Sequence, residues 1–347
     1  MNRMYLILTY SLSVTTMAQV KPSVTYDRNT GNYIIEYQGY EGDDDKPVLV
    51  HKVFEPSTKV IPEISASVLM PHRLMKYSYS YTVKNSSLSK QRLLYFELEQ
   101  KTEDVDSILT PNQEWRAGSW GGPRRIHWGH TMVSRDGMGT PYNGIAIDSA
   151  VSGFALISAG LPSVVNAYSR GSTTMLSFPD EPPSEIEMLV DSLDSFPNNC
   201  VIRKTIGPSG PPNPFAPLRL LDTLLSYVHQ SHELGWINNE RDDDAEEDEQ
   251  AQDGIVKNLD KRLSQTRDLI TKNKVSTAKN RLEKFLHKVE QLWDRQQKEE
   301  KRNRKNPKII FTSEAYALLK YNGDYLLDHL TENKRDKDKD GRKGKER

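Results

Sequence analysis

A single cysteine, Cys200, excludes an internal disulfide framework and an all-cysteine zinc site; it reads as a half-buried strand or loop residue. Net charge is also almost absent. The 47 Lys and Arg against 48 Asp and Glu leave −1, so no global pull toward nucleic acid or acidic lipid follows. Past the N-terminal segment no apolar run is long enough to span a bilayer, which excludes a transmembrane segment from the mature protein. The familiar catalytic signatures are missing too. There is no H-E-x-x-H, no Walker A pattern and no dinucleotide-binding glycine pattern. Ser158, in Leu-Ile-Ser-Ala-Gly, lacks the leading glycine and the strand-to-helix setting of a nucleophile elbow. Strand–helix alternation does not occur, which argues against a Rossmann or barrel enzyme. The basic tail carries no interleaved aromatics, so nucleic acid is not an expected partner.

What is present begins with a targeting signal. Arg3 lies in a short positive region, Met4 to Met17 is uncharged and moderately apolar, and Thr16-Met17-Ala18 resembles a small-x-small cleavage site. Residues 1–18 therefore read as a signal peptide. The expected location is secreted, either extracellular or periplasmic.

From Val24 to about Cys200 the texture is β. Tyr77, Tyr79, Tyr81 and Val83 alternate with polar residues, and so do Leu94, Phe96 and Leu98 beyond the polar turn Asn85 to Lys90. The two runs predict an antiparallel hairpin with one buried face. A second hairpin is predicted at Tyr26, the Asn29-Thr30-Gly31 turn, and Tyr33, Ile35 and Tyr37. Further strands are read at Val48 to Phe54, Ile64 to Leu69 and Gly153 to Tyr168. Short strands at this spacing predict an all-β, Ig-like sandwich over 22–205. The prolines of 206–217 mark a linker.

Beyond the linker the period becomes helical. Leu218, Leu221, Leu225, Val228 and His232 define one face, with Gly235 as a stop. Ile255, Leu259, Leu263 and Ile270 space a second helix, and Val275, Ala278, Leu282, Phe285, Leu286, Val289 and Trp293 a third. Thr312 is a predicted N-cap for a last helix containing Leu318, Leu319, Leu326 and Leu330. A small all-α helical bundle is expected over 218–331, followed by a disordered charged tail at 332–347. The acidic run 240–253 and the basic linker 298–308 read as solvated charge.

The residues Asn258-Leu259 and Leu263, the block Asn280-Arg281-Leu282-Glu283-Lys284-Phe285-Leu286, and Ala315 and Leu318 after Ile309 carry a likeness. Together they resemble the FIMAH domain, a C-terminal module of secreted and wall-associated bacterial proteins. The resemblance covers about a third of the chain, and the acidic run and basic linker depart from the family pattern. It implies no chemistry, but it does imply export and an accessory role beside another module. The front half resembles extracellular sandwich domains only in a general way.

Histidine offers two spaced pairs. His127 and His130 form H-x-x-H, and His229 and His232 lie on a helix, but neither pair has a third ligand nearby. Asp336-x-Asp338-x-Asp340-Gly341 copies half of a calcium loop, yet position twelve is Arg347 and lysines interleave the aspartates. Neither a metal nor a cofactor is expected. The most informative candidate site is the segment EWRAGSWGGPRRIHWGH, where Trp115, Trp120, Arg124, Arg125, His127 and Trp128 form a candidate ligand-binding set. Such aromatic, cationic residues suit sugar stacking or anionic polymers; the competing reading puts the tryptophans in the core. The expected function is a non-catalytic binding or cell-surface interaction protein, with a glycan, the matrix or another extracellular protein as partner. A small carboxylate-dependent hydrolase, with no catalytic residue located, and a structural scaffold are the alternatives.

Overall fold

The computed structural model describes residues 21–41, 46–70, 76–120, 124–130, 144–173, 182–239, 254–302 and 309–343. The segment read as a signal peptide and the acidic run 240–253 lie outside the described residues, as do 42–45, 303–308 and 344–347. The fold is β-rich and mixed, with antiparallel sheets and five helices among the described residues. The chain divides into two units. One is drawn from Met1–Pro56 and Thr173–Asn199, the other from Ser57–Ser172 and Cys200–Arg347. Strands expected in one domain over 22–205 are therefore shared between two units.

In the first unit, β1 (Ser23–Asp27), β2 (Asn32–Glu41) and β3 (Lys46–Phe54) form a meander in that order. The predicted turn closes on Asp27. Its carbonyl accepts the Gly31 N–H at 2.7 Å, and its carboxylate accepts the Asn29 N–H at 2.9 Å and the Thr30 hydroxyl at 2.6 Å. Gly31 has φ +72°, which glycine tolerates without strain. Helix α1 (Ser184–Asp194) covers one sheet face, placing Ile186 among Ile35, Tyr37, Val50 and Phe54. The strand-like texture of the sequence did not suggest this helix. Glu185 and Glu187, just after Pro183, are the helix-start signal.

The second unit has two larger sheets. Its strands are β4 (Pro62–Leu69), β5 (Tyr77–Asn85), β6 (Tyr95–Glu99), β7 (Val105–Leu109), β8 (Trp115–Trp120), β9 (Arg125–His130), β10 (Ser149–Ser158), β11 (Leu161–Arg170) and β12 (Val201–Ser209). The sheet orders are β4-β5-β10-β7 and β12-β11-β6-β9-β8. The expected Tyr77–Leu98 hairpin does not form. β5 pairs with β4 and β10, whereas β6 pairs with β11 and β9 in the other sheet. The connection is held as a crossover. Asn85 donates through Nδ2 to the carbonyls of Gln91 at 2.9 Å and Ile145 at 3.1 Å, and Leu93 bridges Ile145. The alternation nevertheless reports the buried faces correctly, because Tyr79, Tyr81, Val83, Phe96 and Leu98 share one core. The Tyr79 and Tyr81 hydroxyls donate to Gly160 O and Ile206 O, so neither phenol is buried without a partner.

Residues 206–209 belong to β12 rather than to a linker. Pro208 is tolerated because β12 is a sheet edge, where a missing N–H breaks no ladder.

Helix α2 (Pro217–Glu233) ends in a Schellman motif. Trp236 N–H bonds Ser231 O at 2.7 Å and Gly235 N–H bonds His232 O at 2.9 Å, with Gly235 at φ +71°. Its buried stripe is Leu220, Leu221, Leu224 and Val228, rotated from the expected face, so Leu218 is exposed. Helices α3 (Gly254–Thr271), α4 (Val275–Lys301) and α5 (Ser313–Lys343) share a second core with α2, and β13 (Ile237–Asn239) pairs with β14 (Ile309–Phe311) beside it. Gly323 in α5 allows close approach to α4, since a Cβ there would lie 2.6 Å from Leu286 Cδ2. The last helix continues to Lys343, into the stretch expected to be disordered from 332, because no proline interrupts it. Among the described residues no helix is long and apolar enough to cross a membrane.

Helix α5 also joins the sheets. Glu314 accepts the Ala66 N–H at 2.6 Å, and the Ser313 hydroxyl donates to Ala66 O at 2.6 Å. The Tyr321 hydroxyl donates to Val68 O, and Asn322 Nδ2 donates to Pro162 O. Ala317 and Leu318 enter the sheet core.

Two stability predictions follow from this packing. Phe285→Ala in the full chain is expected to cost about 3–5 kcal/mol by urea denaturation, because the ring is completely buried. Glu314→Ala orphans the buried Ala66 N–H and is expected to cost about 1–3 kcal/mol, with faster exchange of the Ala66 amide.

Candidate functional site

Alternation along β9 separates the sequence-predicted site residues. Ile126 and Trp128 turn into the core, while Arg125 and His127 lie on the outer face of the five-stranded sheet. Trp128 is fully buried, stacked on Phe96 at 5.3 Å, and its Nε1 donates to Leu109 O at 2.9 Å. Trp115 is also buried, edge-on to Phe154 at 4.8 Å. Neither indole can stack on a sugar. Trp120 pairs through its backbone with Arg125, and its side chain lies outside the description. Arg124 is exposed and pairs with Glu103.

The outer face gathers residues that the sequence did not bring together. Opposite His127 stands Glu97 on β6, and opposite Glu97 stands Tyr168 on β11. Glu97 is only 6% exposed although it faces outward. Two guanidinium groups hold it, Arg125 Nη1 at 2.7 Å and Arg170 Nη2 at 3.4 Å. Each guanidinium also covers a ring, Arg125 over Tyr168 at 5.9 Å and Arg170 over Tyr95 at 4.3 Å. A buried carboxylate is costly unless paired, and here the two forks supply the pairing.

Two glycines let the rings lie down. A Cβ on Gly118 would sit 2.9 Å from His127 Cε1, and one on Gly129 would sit 3.0 Å from Tyr95 Cε1. Each glycine thus gives a side chain from the next strand room to lie across its own. Burial holds the His127 imidazole below its ordinary 6.5. Arg170 and Arg125 add to that shift, while Glu97 and a backbone hydrogen bond at Gly118 oppose it. Burial likewise pushes the Cys200 thiol, next to this patch, up to about 11, leaving it protonated and unreactive at neutral pH.

The histidine pairs do not converge. His130 lies three residues from His127, hence on the opposite face of β9, and meets the Trp115 ring edge-on at 5.5 Å. His229 is exposed and 3.3 Å from Asp260, whereas His232 contacts Ile237 O at 3.2 Å. Ser158 is buried at the end of β10, where its hydroxyl donates to Asp104 O and accepts the Gly160 N–H. Among the described residues no cluster of three or more His, Cys, Asp or Glu could hold a metal.

The missed residues had a signal. Tyr95, Glu97 and Glu99 are the polar phase of β6, and the same period of two applied to Arg125–His130 separates Arg125 and His127 from Trp128. Only the strand pairing, a tertiary fact, brings Arg170 and Tyr168 beside them.

Three measurements probe this arrangement. Arg125→Ala leaves Glu97 with one weaker partner and is expected to cost about 3–5 kcal/mol in chemical denaturation. Because His127 titrates lower in the folded state, the unfolded chain takes up its proton first. Stability is then complete above about 6.5 and falls as pH drops below it; His127→Asn should flatten that decline. The NMR titration midpoint of His127 should itself lie below 6.5. Neither the family models nor the curated proteins compared with the chain give a match.

Proposed function

We propose that the protein is an exported, non-catalytic binding protein whose ligand-facing surface is the outer side of the five-stranded sheet. The observation that carries this reading is the Glu97 node, where two guanidinium groups are held in place over tyrosine rings. Pre-ordered forks of this kind lose little entropy on meeting a carboxylate or sulfate. An anionic glycan or matrix polymer is the ligand class that fits. Lys204, paired with Asn166 on the neighbouring strand, extends the basic character of the face.

In this reading the two sheets of the second unit stack as an Ig-like β-sandwich, supported by their common core. The four helices act as a FIMAH-like accessory or attachment bundle, supported by the Asn280–Leu286 block and its buried Leu282, Phe285 and Leu286. Export rests on the Arg3, Met4–Met17 and Thr16-Met17-Ala18 pattern. A structural scaffold is the second reading, and the burial of Trp115 and Trp128 favours it.

A glycan array on the full chain tests the choice, with Arg170→Lys alongside. That variant keeps the charge but loses the planar fork. Binding of acidic glycans that weakens about tenfold in the variant, with an unchanged melting temperature, supports the binding protein. A folded protein that captures no glycan supports the scaffold.

A further inference from the structure

A cavity of about 350 Å³ opens in the second unit, where the β11–β12 edge meets α2 and α5. That volume falls in the range of about 300–1,000 Å³ typical of small-molecule sites. Its lining is polar and one-signed. Arg219 contributes a guanidinium, Ser209, Asn213, Thr223, Tyr227 and Asn322 contribute hydroxyls and amides, and none of the described residues lining it is acidic. The nearest acid along α2, Asp222, is turned to Arg267 at 2.8 Å. Arg219 itself has no ion-pair partner among the described residues.

The remaining polar groups are oriented by the fold. Both Nδ2 hydrogens of Asn322 are directed to backbone carbonyls, Pro162 O at 2.8 Å and Leu318 O at 2.9 Å. This fixes the amide and leaves Oδ1 as an acceptor on a residue only 2% exposed. The Thr223 hydroxyl donates to Arg219 O at 3.0 Å, keeping its lone pairs as acceptors. The Tyr227 phenol, pushed up to about 12 by burial against an opposing hydrogen bond with the Ser163 side chain, stays protonated at neutral pH. One fork for an anion, with fixed acceptors and a donor for hydroxyls, describes a particular kind of guest.

We propose that this cavity binds a small hydroxylated carboxylate of monosaccharide size, its carboxylate on the Arg219 fork and its hydroxyls on Asn322, Thr223 and Tyr227. The site is separate from the Glu97 node and does not rest on the reading of the sheet face.

The test is calorimetric titration of the full chain with sodium glucuronate, beside glucose and inorganic phosphate at matched ionic strength. Glucuronate is expected to bind with Kd of about 1 mM or tighter. Arg219→Ala should weaken it about tenfold or more without moving the melting temperature, since Arg219 is exposed and makes no ion pair. Tyr227→Phe, which keeps the ring, should weaken it by a smaller factor. Absence of glucuronate binding, equal binding by Arg219→Ala, or glucose matching glucuronate would overturn the proposal. So would phosphate binding in place of glucuronate, since that would mark a simple anion site.

Discussion

Ala66 is where the second unit is tied together. It lies on β4, the edge of the four-stranded sheet, and an edge strand presents backbone groups with no neighbour. Two side chains from the first turn of α5 take the place of that neighbour: Glu314 accepts the N–H and Ser313 donates to the carbonyl. Two turns further on, Tyr321 reaches the Val68 carbonyl, and Asn322 reaches Pro162 in the other sheet. The apolar groups Ala317 and Leu318 then enter the sheet core, and burying one leucine contributes about 1.5–3 kcal/mol. The sheets and the helical segment are therefore one cooperative body, and the interface between them resembles a core.

That arrangement bears on where ligands can act. The outer face of the five-stranded sheet carries the Glu97 node, and the cavity beside Arg219 lies where α2 and α5 meet that sheet's edge. The side chains of the Glu97 node are fixed by their neighbours on the sheet, and in the cavity the Asn322 amide is fixed by its two carbonyl partners. Rigid placement of charged forks favours recognition, because little freedom remains to be lost on binding.

Much of this was legible in the chain. Helices α4 and α5 follow their apolar periods, Gly235 ends α2, and Thr312 caps α5 through a 3.5 Å contact to the Ala315 N–H. The alternation of Tyr77–Val83 and Phe96–Leu98 gave the buried faces. Pairing was not legible, because period two says which way a side chain points and nothing about which strand lies alongside. The hairpin expected between those runs is a crossover for this reason. The candidate site shows the same limit. Tryptophan and arginine close together in sequence looked like one surface, but adjacent residues of a strand face opposite ways, and only the cross-strand partners of Arg125 and His127 reveal the face they share. Glu314 has the local signature of a first-turn acid and no more, and its distant partner 248 residues away leaves no local trace.

That separation has a consequence for how the molecule reaches its native state. A loop of this length adds modestly to closure entropy, because the penalty grows only logarithmically, but long-range contacts slow folding. Strand β4 belongs to the early part of the chain and its cover to the last helix. Any intermediate that has assembled the sheets before α5 docks displays β4 as an open template for another chain. Helix α5 is thus the guard against self-association during folding, and a chain broken before Ser313 loses that guard while keeping every strand of both large sheets.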